Sequence, residues 1–143
     1  MKIYDGNGVM LGRIASHVAK DLLLGEEIHI INCEKIVISG NKTFTFALEK
    51  QKRDRRGYPL KSQKYSRLPD KFVRRSVRGM LPWKFNRGKK AFENLKCHIG
   101  IPNGLISQKT IHLQNDTYKK LPTLYYTTVG ETCKHLGGKI IIP

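Results

Sequence analysis

Three consecutive patterns at the N-terminus constrain the fold more than anything else in the chain. Ile3-Tyr4-Asp5 has the composition of a short strand and runs into a Gly-Asn-Gly turn at residues 6–8. Leu11, Ile14, Ala15, Val18, Ala19, Leu22 and Leu23 then recur at the spacing of one helical face. Arg13, His17, Lys20 and Asp21 take the opposite side, and Gly25 supplies the stop. Ile28-His29-Ile30-Ile31-Asn32 follows, mostly apolar and short, as expected of a strand covered on both faces. Strand, amphipathic helix and buried strand together make a βαβ unit with a parallel pair, and so an α/β fold. The 143 residues have room for one domain with a proper core, and 1–143 is read as a single domain.

Further along, Ile36-Val37-Ile38-Ser39 comes too soon after the second strand to be its parallel neighbour, and is read as a short strand or an irregular lead-in. Asn41 is placed to cap a helix over about 42–53 with Phe44, Ala47 and Leu48 facing inward. Lys50 to Leu68 mixes bases with Tyr58, Tyr65, Gly57 and Pro59 without a sustained period, which reads as an extended loop that orders against a partner. Pro69 suits the first turn of a helix that Gly79 ends. Asn86 is placed to cap another helix, with Ala91, Phe92 and Leu95 inward. Thr123–Thr127 is rich in strand formers, Thr128-Val129-Gly130-Glu131 fits a capping box ending at Gly137-Gly138, and the tail Ile140–Ile142 is apolar enough to pack.

Charge separates this scaffold from one segment. Lysines and arginines number 27 against 11 acids. Between Lys50 and Lys90 there are 16 bases against Asp54 and Asp70 alone, or +14, which leaves 11 bases and 9 acids elsewhere. In the helix over 69–79, Phe72, Val73, Ser76 and Val77 form one face, while Lys71, Arg74, Arg75 and Arg78 form the other. Like charges at that spacing cost a few tenths of a kcal/mol per pair. Lys89 and Lys90 near a helix start oppose its dipole. Tyr58, Tyr65, Phe72, Trp83 and Phe85 interleave with the bases. A solvated basic face is the plainer explanation of a charge run. Interleaved aromatics favour a polyanion instead, because arginine pairs bidentately with phosphate and a ring can stack on an unpaired base. Trp83 is open to either role, stacking or anchoring the loop between the two helices.

Other chemistry has little support. Gly6 to Gly12 has the spacing G-x-G-x-x-x-G instead of the dinucleotide fingerprint, and no acid ends the second strand, although Glu34 lies just beyond it. A tight turn and close helix packing account for these glycines. The carboxylates are scattered apart from Glu26-Glu27, read as solvated charges, and Cys97-His98 and Cys133-Lys134-His135 lack zinc spacing. His17 and His29 are read as partly exposed residues of their elements. The three scattered cysteines point to free thiols in a reducing compartment. No apolar run is long enough to span a membrane, and neither cofactor, metal nor catalytic residue is expected.

Three stretches, in order, carry a family resemblance: Leu11-Gly12-Arg13-Ile14-Ala15-Ser16; Asn32-Cys33-Glu34-Lys35 leading to Ile38-Ser39-Gly40-Asn41-Lys42; and Arg78-Gly79-Met80-Leu81-Pro82 with Arg87-Gly88 and Ala91. From Ile3 to about Gly100 the chain resembles the ribosomal protein L-thirteen family, in its archaeal and eukaryotic branch, with an archaeal source expected. Cys33 and Trp83 depart from the family pattern. The resemblance implies a three-layer α/β/α domain with a four-stranded parallel sheet. It also implies a cytoplasmic, non-catalytic role within the large ribosomal subunit, against its RNA and neighbouring proteins, without a membrane or small-molecule substrate. A basic loop-and-helix arm over about 50–90 is expected to hold phosphate and sugar. Its residues are Lys71, Arg74, Arg75, Arg78, Lys84, Arg87, Lys89 and Lys90, with Arg53, Arg55, Arg56, Lys61, Lys64 and Arg67 from the loop. Trp83 and the Arg13 of the LGR motif are further candidates. The rival reading is a free RNA-binding translational regulator.

Overall fold

The strand, helix and strand expected at the N-terminus are β1 (Lys2–Asp5), α1 (Leu11–Leu23) and β2 (Ile28–Ile31), in a computed structural model that describes residues 1–55 and 65–140. The strands pair in parallel, with Ile3 beside His29 and Tyr4 beside Ile30. On α1 the periodic face is buried at Ile14, Ala15, Val18, Ala19 and Leu22. Gly25 ends it at φ 93°, a left-handed conformation that costs glycine nothing. The turn before α1 also needs its glycines. Gly8 has φ 70°, and a Cβ on Gly6 would lie 2.6 Å from Ile36 Cγ1. Gly12 differs from expectation: a Cβ there would meet nothing within 4 Å, so helix packing does not require it.

Two later strands complete the sheet. β4 (Leu95–Cys97) adds to β2 and β5 (Thr110–Ile111) adds to β1, giving the all-parallel order β4-β2-β1-β5. Helices flank it on both sides in an α/β/α arrangement of unequal layers. Tyr4, Ile28 and Ile30 pack with α1, α3 (Pro69–Met80), α4 (Asn86–Glu93) and α5 (Val129–His135). On the other face Ile3 and Ile31 pack on Leu105, from a single 3-10 turn over Asn103–Leu105. His29 shares that face and is buried instead of partly exposed, because β2 lies between two strands and the His98 ring stacks on it at 5.3 Å.

The second apolar run is β3 (Val37–Ser39), which pairs antiparallel with β6 (Tyr126–Thr128) in a separate small sheet. Asn32, at φ 54°, and the 3-10 turn Cys33–Lys35 redirect the chain away from the main sheet. Strand geometry begins only at Tyr126, later than Thr123. Thr128 caps α5 by accepting from the Glu131 N–H at 3.1 Å, as the capping pattern predicts. Of the apolar tail, Ile140 packs on the core, while Ile141 and Ile142 fall outside the described residues.

α2 (Lys42–Asp54) corrects two expectations. Asn41 caps it through the Thr43 N–H, but its inward stripe is Thr45, Phe46 and Glu49. Phe44 is 67% exposed, Ala47 is exposed and Leu48 only half-buried. The helix is turned by about one residue, roughly 100°, because Phe46 stacks on His135 of α5 at 4.4 Å. The helix also runs through Asp54, so Lys50 to Asp54 is not loop. Leu95 belongs to β4 rather than to the helix before it, and Phe85, not Asn86, occupies the cap position of α4.

Candidate nucleic-acid interface

α3 forms because Pro69 presets its first turn and Val73 and Val77, both fully buried, anchor one side. Lys71, Arg74, Arg75 and Arg78 are left on the other. The four i,i+3 and i,i+4 pairs among these cations cost about 1–2 kcal/mol together. Burying the two valines contributes about 3 kcal/mol or more, so packing outweighs repulsion and the helix stands without a ligand.

Rings hold the arginines in place. The Arg75 guanidinium lies 3.9 Å from the Tyr65 ring centre, that of Arg74 4.6 Å from Phe92, and that of Arg78 4.7 Å from Trp83. Trp83 in turn meets Phe92 edge-on at 5.2 Å. Each contact is worth about 0.5–1 kcal/mol at an exposed site. Its larger effect is geometric: each ring limits where its guanidinium can sit, and the guanidinium keeps N–H donors that can pair with an oxyanion. Lys71, Arg74, Arg75, Arg78, Ser66 and Phe92 line an open groove of about 320 Å3.

The turn into α4 is rigid. Leu81 is buried, and a Cβ on Gly88 would lie 2.3 Å from the Pro82 carbonyl oxygen. The Phe85 N–H donates to that same oxygen at 3.0 Å. Lys84, Arg87, Lys89 and Lys90 stand exposed around the start of α4, whose first turn carries no acid. Arg87 donates to the Leu23 carbonyl at the end of α1, at 3.4 Å.

Counter-charges are distributed in a way that isolates this surface. Among the described residues, none of Lys71, Arg74, Arg75, Arg78, Lys84, Arg87, Lys89 and Lys90 has a carboxylate within 4.0 Å. The carboxylates instead pair within the scaffold. Asp21 holds Lys2, Asp116 holds Arg13, Glu131 holds Lys42, Glu49 holds Lys52 and Glu27 holds Lys96.

The remaining expected contact residues separate. Arg13 bonds Asp116 at 3.0 Å, with His17 on the other carboxylate oxygen at 3.0 Å. The hydrogen bond from Arg13, opposed by desolvation and joined by His17, holds the Asp116 carboxyl below its usual range. Arg13 is thus tied to the segment that follows β5. Arg53 donates to the Leu136 carbonyl at the C-terminus of α5, where a cation complements the dipole. The Arg67 backbone passes against Gly138 near that same end, its side chain exposed. Arg55 is exposed just after α2. Arg56, Lys61 and Lys64 fall outside the described residues.

Phe92 and Asp116 had no local signal. Phe92 reads as a core residue of α4, and its place under Arg74 depends on how two helices meet. Asp116 lies 103 residues from Arg13. The alternative cofactor turn is accounted for without a ligand: Glu34 is buried and accepts the Gly100 N–H at 3.1 Å. Among the described residues, no group of three or more His, Cys, Asp and Glu is placed to hold a metal, and no helix is long and apolar enough to cross a membrane.

Residues 1–103 match the family model of ribosomal protein L13. The chain is 44% identical to the large ribosomal subunit protein uL13 of Methanosphaera stadtmanae, across 96% of this chain and 97% of the relative. It is 41% identical to that of Methanocaldococcus jannaschii, across 97% and 99%. With the protein of the same description from Archaeoglobus fulgidus the identity is 38%, across 94% of this chain and 86% of the relative.

Proposed function

Because the chain belongs to the ribosomal protein L13 family, we propose that it is a structural constituent of the large ribosomal subunit that binds and stabilises ribosomal RNA and supports subunit assembly. The observation that carries this reading is the unpaired cationic surface of α3 and α4. Among the described residues, eight bases clustered there lack a carboxylate partner, whereas Lys2, Arg13, Lys42, Lys52 and Lys96 of the scaffold each have one. Three of the arginines are also held against aromatic rings. Phosphates relieve the repulsion along α3, and guanidinium groups already held against rings bind them with less loss of side-chain freedom. Such contacts position the protein without reading sequence, so RNA shape supplies selectivity.

On this reading the 143 residues act as one domain, non-catalytic and cytoplasmic, with ribosomal RNA and neighbouring large-subunit proteins as partners. Lys71, Arg74, Arg75, Arg78, Lys84, Arg87, Lys89 and Lys90 carry the main contact. Arg55 and Arg67 extend it, whereas Arg13 and Arg53 serve chiefly to hold the fold. The test is the triple variant Arg74→Glu, Arg75→Glu, Arg78→Glu, followed on a sucrose gradient of cell lysate. The unaltered protein migrates with large subunits, and the variant stays at the top with its circular dichroism unchanged. Unaltered protein mainly at the top would refute the ribosomal role and favour a free RNA binder. A variant that migrates like the unaltered protein would reduce the patch to a solvated face.

A further inference from the structure

Among the described residues of the basic arm, Phe85 has the most exposed ring, at 70%, against 39% for Trp83. The two rings differ in what already touches them. Trp83 has the Arg78 guanidinium over its face and Phe92 on its edge. Among the described residues, no ring or cation lies on Phe85. Nor does it hang on a loose loop. Its N–H donates to Pro82 at 3.0 Å, and its carbonyl accepts from Gly88 at 3.1 Å and Lys89 at 3.3 Å. The chain therefore presents a bare aromatic face from a fixed backbone.

The neighbours narrow what can cover it. Lys84, Arg87 and Lys89 surround Phe85 in sequence, all exposed and none with a carboxylate partner among the described residues. An apolar protein surface would cover the ring and strand the cations, and the paired bases of a duplex are already stacked on each other. An unpaired nucleotide supplies both an anion and a free π-face. We propose that Phe85 is the stacking platform for one unpaired RNA base, with the flanking cations on the adjoining phosphates. The proposal rests on the RNA-binding reading and adds to it the kind of RNA feature that the turn between α3 and α4 selects.

The test uses two labelled RNA hairpins, identical except for one bulged 2-aminopurine, with affinities measured by fluorescence anisotropy. Phe85→Leu keeps an apolar side chain without the ring, and Phe85→Tyr keeps the ring. For the bulged hairpin, Phe85→Leu is expected to weaken binding about 5- to 100-fold, on the scale of one lost base stack. Binding to the fully paired hairpin, and the salt slope for both, should be unchanged because no charge is altered. Phe85→Tyr should restore both the affinity and the quenching of the 2-aminopurine. Equal binding of the bulged hairpin by Phe85→Leu and unaltered protein would overturn the proposal, and is the result expected if a protein neighbour covers the ring. Equal weakening for both hairpins would overturn it too. Failure of the unaltered protein to bind either hairpin would instead defeat the RNA-binding reading on which the proposal stands.

Discussion

Gly88→Ala tests whether the turn that displays the basic surface is as tightly built as its geometry indicates. An alanine Cβ would lie 2.3 Å from the Pro82 carbonyl oxygen and 2.6 Å from its carbon. Carbon and oxygen normally approach no closer than about 3.3 Å, so roughly 1 Å of movement is needed. The atoms in the way are backbone, and that oxygen already accepts the Phe85 N–H. Overpacking of this kind costs about 1–3 kcal/mol, and weakening the hydrogen bond adds up to about 1 kcal/mol. Against this stands the helix preference of alanine over glycine, at most about 1 kcal/mol. Steric overlap wins, and the variant should lose about 1–3 kcal/mol of stability. Gly79→Ala is the matched control: it also lies near the end of a helix, but its new Cβ would meet nothing within 4 Å. It should be neutral or gain up to about 1 kcal/mol. Urea unfolding, followed by Trp83 fluorescence and by circular dichroism, separates the two. If Gly88→Ala proved as stable as Gly79→Ala, the argument that Gly88 exists for close approach would be wrong.

Two further outcomes follow from titrating groups. The Asp116 carboxyl is held below its unfolded value by Arg13 and His17, so its contribution to stability is complete above about pH 4 and is lost as pH falls through the depressed folded value. The urea midpoint of Asp116→Asn should therefore lie below that of the unaltered protein at pH 6, and the gap should close as pH falls below about 4; a constant gap would refute the linkage. All three thiols are free. Burial pushes Cys133 up to about 12, so roughly one molecule in ten thousand carries its thiolate at pH 8. The Cys97 sulfur and burial push buried Cys33 upward as well. Iodoacetamide followed by peptide mass analysis should leave Cys33 and Cys133 unlabelled until urea is added, and rapid labelling of either in the folded protein would contradict its burial.

Much of the scaffold was legible because its signals are local. The seven apolar positions of α1, the glycine that stops it and the Thr128 cap each act within a turn or two. The separation of valines from arginines along α3 is equally local, and survives because burial of Val73 and Val77 exceeds the repulsion opposite. The concentration of bases between Lys50 and Lys90 is a property of composition and so is visible without any contact between elements. The departures arise where neighbours distant in sequence decide. The pattern along α2 points Phe44 inward, yet Phe46 is the ring that finds His135, and the helix turns accordingly. Arg13 and Arg74 are both arginines on exposed helical faces. One is claimed by Asp116 from the far end of the chain, and the other lies over Phe92 with no carboxylate in reach among the described residues. Periodicity and composition specify which side of an element is wet and where charge accumulates, because both depend on residues a few positions apart. Which charges are neutralised, which rings stay bare and which arginines remain available for a partner depend on contacts between elements, and those exist only once the chain has folded.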